Sequence, residues 1–233
     1  MMIESIEVSE LRDMSLFSSL KEEELESIVG FVRRTVVAAG TVLISAQVPG
    51  EAVYFVVEGS VKVQLVRESG VELTLALLGP GDIVGEMSLV SGRGRSAHVI
   101  TRESTTLLWM ERKEFLKALN LSNTLSRNLI SELSKRLQTA NDRFQALATL
   151  DVTGRVARQI LELAERYGKS VPGEGIHIVF AVTQGEIAEL VAATRERVNQ
   201  IMVRMKRAGV FSVDDQSRLT VHRVDVLDEL CQL

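Results

Sequence analysis

TQGEIAELVAATRERVNQIMVRMKRAG, residues 183–209, is punctuated as two short helices joined by a tight turn. Thr183 followed by Glu186 fits a capping box, which satisfies the orphan amides of a first helical turn. The helix it opens runs through Leu190 or Val191. Ala192 and Ala193 supply a small-residue turn, Thr194 caps a second helix reaching Ala208, and Gly209 stops it. Within that second helix Val198, Ile201, Met202 and Met205 stand at offsets 0, 3, 4 and 7 and share one stripe. Glu196, Gln200, Val203, Arg204 and Arg207 take the opposite side, and Arg195 sits at the stripe's edge with the length to reach outward. A helix-turn-helix places such a second helix in the major groove of DNA. Arginine bonds guanine in bidentate fashion, glutamate accepts from cytosine N4, and glutamine pairs with adenine. Thr183, Thr194, Arg195, Glu196, Asn199, Gln200 and Arg204 form the expected DNA-contacting set, with Thr183 and residues 204–207 placed for phosphates. The following VFSVDDQSRLTV (210–221) reads as a hairpin, the wing of a winged helix. A merely solvated charged face is the plain alternative. Residue types suited to base edges, opposite a clean apolar stripe, favour DNA.

Working toward the N-terminus, IHIVFAV (176–182) reads as a strand and GKSVPGEG (168–175) as the loop before it. Val156, Ile160, Leu163, Ala164 and Tyr167 mark an amphipathic helix ending at Gly168. Asp151 and Thr153 offer caps and Gly154 a break, so a hinge is expected at 151–154. From about 112 to 150 glycine and proline disappear, and Ile130, Leu133, Leu137, Ala140, Phe144 and Leu147 follow spacings of 3, 4, 3, 4 and 3. That is a heptad seam, the pattern of a long helix pairing with a copy of itself. The seam exceeds what a small barrel can cover, which favours a homodimer over packing on the chain's own barrel. Between about 34 and 110 short β-rich runs such as VYFVV (53–57), VKVQLV (61–66) and LTLALL (73–78) alternate with turns at Pro49-Gly50, Glu58-Gly59, Gly70, residues 79–81, Gly92 and Gly94. Such spacing indicates an antiparallel barrel or sandwich. Residues 15–31 read as a helix, with Ser19 and Glu22 as its capping box.

The chain's 233 residues suffice for two small domains. Its net charge of −4 is unevenly placed: residues 1–30 hold eight acids against Arg12 and Lys21, whereas 191–209 hold five basic residues against Glu196. The local field of the contacting surface, not the total, steers a protein onto phosphates. One cysteine, Cys231, excludes an internal disulfide and cannot by itself hold an iron–sulfur cluster or structural zinc. His98, His177 and His222 show no ligand spacing, so no metal is expected. The glycine-rich 79–94 stretch lacks a GxxxxGK[ST] phosphate loop, and no nucleophile–base pair is evident, so no enzyme is expected. The first residues, MMIESIEVSE, lack the regions of a secretory signal, and no apolar run is long enough to span a bilayer. A cytoplasmic protein without a membrane partner follows.

GDIVGEMSL (81–89) with RSA (95–97), LDVTGR (150–155) and TQGEIAELVAATRERV (183–198), in this order, resemble the cyclic AMP receptor protein (CRP/FNR) family of bacterial regulators. The resemblance covers roughly residues 15–222. It implies an α+β chain: an N-terminal β-roll sensor of the cyclic-nucleotide-binding kind over 1–120, a long dimerisation helix over 121–150, and a winged helix-turn-helix over 151–233. It also implies that Gly85, Glu86, Met87, Ser88, Arg95 and Ser96 hold a cyclic nucleotide such as cAMP. Arg95 would neutralise the cyclic phosphate, Ser96 would donate to it, and Glu86 would accept from the ribose 2′-hydroxyl. Two departures concern the effector. The loop between Glu86 and Arg95 is one residue shorter than in the best-known member, and that member's adenine-facing threonine and serine are Ala140 and Asn141 here. Asn141 can still bond a base, from the partner subunit. A cyclic dinucleotide, ligand-independent DNA binding, and a scaffold module without DNA stay open as alternatives. The second arginine of the family's recognition helix is Gln200 here. The expected partners are a two-fold symmetric operator, a second copy of the chain, a small effector and RNA polymerase; no cofactor is expected beyond the effector.

Overall fold

The computed structural model describes residues 6–46, 48, 50–66, 72–91, 94 and 96–232. Of the expected turn and site residues, Pro49, Gly70, Gly92 and Arg95 lie outside the described residues. The chain divides into two compact units, residues 1–137 and 138–233.

The first unit opens with two short helices, α1 (Val8–Arg12) and α2 (Glu22–Val29). Eight strands follow: β1 (Arg33–Val37), β2 (Val42–Ile44), β3 (Ala52–Glu58), β4 (Val61–Val66), β5 (Glu72–Leu78), β6 (Ile83–Val84), and, after α3 (Glu86–Ser91), β7 (His98–Thr101) and β8 (Thr105–Glu111). They form two four-stranded sheets of order β1-β8-β3-β6 and β2-β7-β4-β5, with antiparallel pairing. The two-residue period of β8 divides its burial. Leu107 turns into the roll with Ile44, Val56, Val61, Leu78, Val84 and Val99. Leu108 and Met110 turn the other way, into a core with Phe17, Leu25, Ile28 and Phe55. A one-residue slip would exchange the two sets, so burial on both faces fixes the register. Phe17 meets Phe55 with ring centroids 5.1 Å apart, which ties the N-terminal helices to the sheet.

The expected helix over 15–31 is shorter, because its cap falls at Lys21 rather than Ser19. The Lys21 amide donates to Glu24 Oε2 at 3.0 Å, while the Ser19 hydroxyl donates to Asn128 Oδ1 instead. After β8 come α4 (Arg112–Leu121) and α5 (Asn123–Thr149), a helix of 27 residues that runs from the first unit into the second.

The second unit continues with α6 (Val152–Tyr167), β9 (Gly168–Val171), β10 (Gly175–Ile178), α7 (Gln184–Leu190), α8 (Arg195–Arg207), β11 (Phe211–Val213), β12 (Leu219–Val221) and α9 (Val224–Leu230). Its sheet has the order β11-β12-β10-β9. Asp151 caps α6, its Oδ1 accepting from the Gly154 amide at 2.8 Å. The helical break therefore lies at Leu150–Asp151, and Gly154 sits inside the first turn of α6. A Cβ there would stand 2.8 Å from the Leu230 carbonyl oxygen, so glycine permits α9 to approach. Residues 168–175 form a strand and turn rather than a loop, because Gly168 to Val171 pair with β10. The strand expected to reach residue 182 ends at Ile178, and Phe180 instead packs on Tyr167 at 4.9 Å. The α+β class, the roll, the long helix and the winged helix-turn-helix agree with the sequence reading.

Candidate nucleotide pocket and nucleic-acid interface

In the first unit a pocket of about 90 Å³ opens between the roll and the first half of α5. Its floor is apolar, with Ile44, Val63, Leu78, Val84 and Val99. The chain reaches it through Gly85, whose φ of 94° is a left-handed conformation that only glycine adopts freely. That turn starts α3 directly behind it and places Glu86, Met87 and Ser88 on the pocket wall. Ser88 is buried and its hydroxyl donates to the Gly85 carbonyl at 3.1 Å, so it braces the turn. Met87 is exposed, and Ser96, also exposed, lines the pocket.

Glu86 is only 1% exposed. A buried carboxylate needs a cation or several donors. It has one in Arg136 on α5, whose Nη1 donates to Glu86 Oε1 at 2.8 Å. Arg136 also donates from Nη2 to the Ile83 carbonyl oxygen, and its Nε lies 3.7 Å from Glu132 Oε1 one turn away. The arginine thus closes the pocket with a charged group held by two hydrogen bonds beside a second carboxylate. Sequence reasoning missed Arg136. The only signal for it was the chemical requirement that a buried Glu86 find a cation, and spacing rules, which are local, do not reach across the 50 residues that separate the two.

Asn141 is exposed on α5 and belongs to the second unit; it is not among the residues lining the pocket of the single chain. The pocket therefore brings together Gly85, Glu86, Met87, Ser88 and Ser96 of the expected ligand set, and adds Arg136.

In the second unit Thr183 caps α7: its Oγ1 accepts from the Glu186 amide at 3.2 Å, and Glu186 Oε2 accepts from the Thr183 amide at 2.8 Å. Ala192 adopts φ 50°, turning the chain sharply before α8. Thr194 caps α8 by accepting from the Arg197 amide at 3.2 Å. Val198, Ile201, Met202 and Met205 are buried, whereas Arg195, Glu196, Asn199, Gln200, Val203 and Arg204 are exposed along the other face. Arg204, Lys206 and Arg207 fall in the last turn, where the helix dipole favours cations. The wing pairs β11 with β12 from Phe211↔Val221 to Val213↔Leu219. Asp214 braces the wing's tip, where its carboxylate accepts from the Arg218 amide at 2.8 Å and the Gln216 amide at 2.9 Å; these bonds hold its pKa below the usual value.

A nucleotide-type pocket in a β-roll and a winged helix-turn-helix with an exposed polar recognition face define a ligand-sensing DNA-binding regulator. Residues 34–122 match the cyclic nucleotide-binding domain, and residues 154–230 match the Crp-like helix-turn-helix domain. The chain is 32% identical over 171 residues to the CRP-like cAMP-activated global transcriptional regulator of Mycobacterium tuberculosis, covering 73% of this chain and 76% of that one. It is 30% identical over 220 residues to the cyclic AMP receptor protein of Thermus thermophilus, covering 94% and 98%. The structure of FixK2 from Bradyrhizobium japonicum superposes with a TM-score of 0.75 at 21% identity, over 85% of this chain and 96% of that one, and shares the fold. The chain belongs to the CRP family of transcription regulators, with a cyclic nucleotide-binding domain and a DNA-binding helix-turn-helix. No described helix is long and apolar enough to cross a membrane.

Proposed function

We propose that this regulator is a cytoplasmic homodimer that binds cAMP in its roll and then a two-fold symmetric operator through two copies of α8. The observation that carries the ligand reading is the pair of buried Glu86 with Arg136 on the wall of a pocket with an apolar floor. An apolar floor suits a purine, and a few fixed polar groups at the rim suit the ribose and phosphate. Glu86 would accept from the ribose 2′-hydroxyl without releasing Arg136, because a carboxylate offers more than one lone pair. Ser96 would donate to the cyclic phosphate beside Arg95, and the amides following Gly85 would add further donors. Asn141 from the partner subunit would complete the base contacts.

On DNA, Arg195, Glu196, Asn199 and Gln200 would reach base edges, while Thr183, Thr194 and Arg204 would contact phosphates. Functionally the chain would divide into a sensor over 1–120, a dimerisation helix over 121–150 and a DNA-binding domain over 151–233, with RNA polymerase as a further partner and no enzymatic turnover. Calorimetry of the purified full chain against cAMP, cGMP and cyclic dinucleotides tests the effector. Saturable cAMP binding that is lost in Arg95→Leu and weakened at least about tenfold in Glu86→Gln is expected, since each removes a charge-assisted contact. Equal binding by wild type and both variants would contradict the assignment.

A further inference from the structure

The second unit contains a cleft that the nucleotide pocket and the recognition face do not use. Arg143 from α5, Arg155, Arg158, Gln159 and Glu162 from α6, and Val191 at the end of α7 line a small cleft open to solvent. Positions 155, 158, 159 and 162 recur at helical spacing, so α6 presents them on one face while Val156, Ile160 and Leu163 enter the core on another. Three guanidinium groups meet one carboxylate here. That carboxylate is already committed: Glu162 accepts from Arg143 Nε at 3.0 Å and from Arg143 Nη2 at 2.7 Å, one bond to each oxygen. Arg158 reaches Asp142 only at 3.5 Å, between two largely solvated side chains.

What remains is a surplus of donors. Gln159 is 4% exposed, and its Nε2 has no hydrogen-bond partner among the described residues; Arg155 Nε is likewise buried without an acceptor among them. Buried N–H groups are rarely left unpaired, because each has given up its water. A single water would accept from them but would leave the excess positive charge unanswered. An oxyanion satisfies both requirements, since it carries only acceptors and neutralises guanidinium.

We propose that this cleft is an anion site for a free phosphate group, that of inorganic phosphate or a small phosphomonoester metabolite. Arg155 and Gln159 supply the buried donors, and Arg158 closes the site from the solvent side. Val191 is the C-cap of α7 and precedes the Ala192 turn that launches α8. A bound phosphate therefore braces α6 against the element that sets the recognition helix, and DNA affinity changes with phosphate by whatever difference in affinity the two arrangements have. The site lies wholly in the second unit, so it stands or falls separately from cAMP binding.

The test is calorimetric titration of the full chain with inorganic phosphate, without DNA, in a buffer free of other oxyanions. Wild type, Gln159→Leu and Arg158→Gln are compared; the half-exposed Arg158 variant keeps the comparison valid if the buried substitution impairs folding. Saturable one-to-one binding is expected, at least about tenfold weaker in both variants because a charge-assisted contact or a buried donor is lost. Binding of cAMP should be the same in all three. Absence of saturable phosphate binding, or equal affinity in Arg158→Gln and wild type, overturns the proposal. So does a cleft that serves only the DNA backbone: Arg158→Gln would then lower the salt slope of DNA binding by about 0.9 while free phosphate failed to bind.

Discussion

Glu86 shows what a sequence can and cannot disclose about a residue. Its place after Gly85 in GDIVGEMSL suggests a ligand-site residue, and it does line the pocket, but the partner that makes its burial tolerable is Arg136, 50 residues away on α5. Capping rules and motif spacing are local, whereas this pairing depends on how the helix crosses the roll. Removing Arg136 leaves a carboxylate buried without its cation, so Arg136→Ala should destabilise the chain by about 3 kcal/mol, toward the lower end for broken buried pairs because the arginine keeps some solvent contact. Denaturant unfolding measures this, and adding Glu86→Gln should restore part of the loss because a neutral amide is cheaper to bury. Equal stability of wild type and Arg136→Ala would mean that the pair is not formed. A second residue-scale expectation concerns acid. Glu24 accepts from the Ser122 hydroxyl, and this bond, followed by that from the Lys21 amide, lowers its pKa. A carboxyl whose folded pKa is depressed adds stability above its unfolded pKa and loses it as pH falls through the folded value. Ser122→Ala should therefore reduce stability more near neutrality than in strong acid, where only the loss of the bond that its hydroxyl accepts from the Leu125 amide remains; a difference constant with pH would contradict the linkage.

Elements whose signals are local were legible. The caps at Thr183 and Thr194 sit where the residue types placed them, and α8 turns its apolar stripe inward. Elements decided by distant partners were not. Ser19 spends its hydroxyl on Asn128, so α2 starts later than its local sequence suggests. Residues 168–171 lack any strand-like alternation and become a strand only because β10 offers an edge to pair with. The long helix lies between these cases: its heptad spacing was readable, and Ile130, Leu137 and Phe144 are each more than 60% exposed in the single chain. Large apolar side chains repeated along one seam are what a coiled-coil partner covers. Replacing Leu137 and Phe144 together by glutamate should turn a dimer into a monomer in light scattering while circular dichroism keeps its helical signal. An unchanged dimer mass would show that the seam is not the interface.

For the whole molecule, a sensor pocket and a DNA-reading helix in one chain become a regulator only if the two sites are coupled. Coupling is a free energy shared between them: under the proposed function cAMP would tighten operator binding by the factor by which operator would tighten cAMP binding. Measuring both legs of that cycle on the full chain should give the same factor within error, and a factor of one would remove cAMP as the controlling ligand while leaving the DNA-binding reading in place. The domain boundaries and the operator contacts rest beneath this on one requirement, that α8 enters a major groove twice in a symmetric pair. Selection of duplexes from a random pool by the full chain with saturating cAMP, compared with Arg195→Ala and Gln200→Ala variants, addresses it most directly. Wild type should enrich an inverted repeat whose half-site centres lie about 34 Å apart, one helical turn or a multiple of it, and each variant should relax the base preference at its own position in both halves. Enrichment of nothing, or of a sequence without two-fold symmetry that both variants select equally well, would contradict the account.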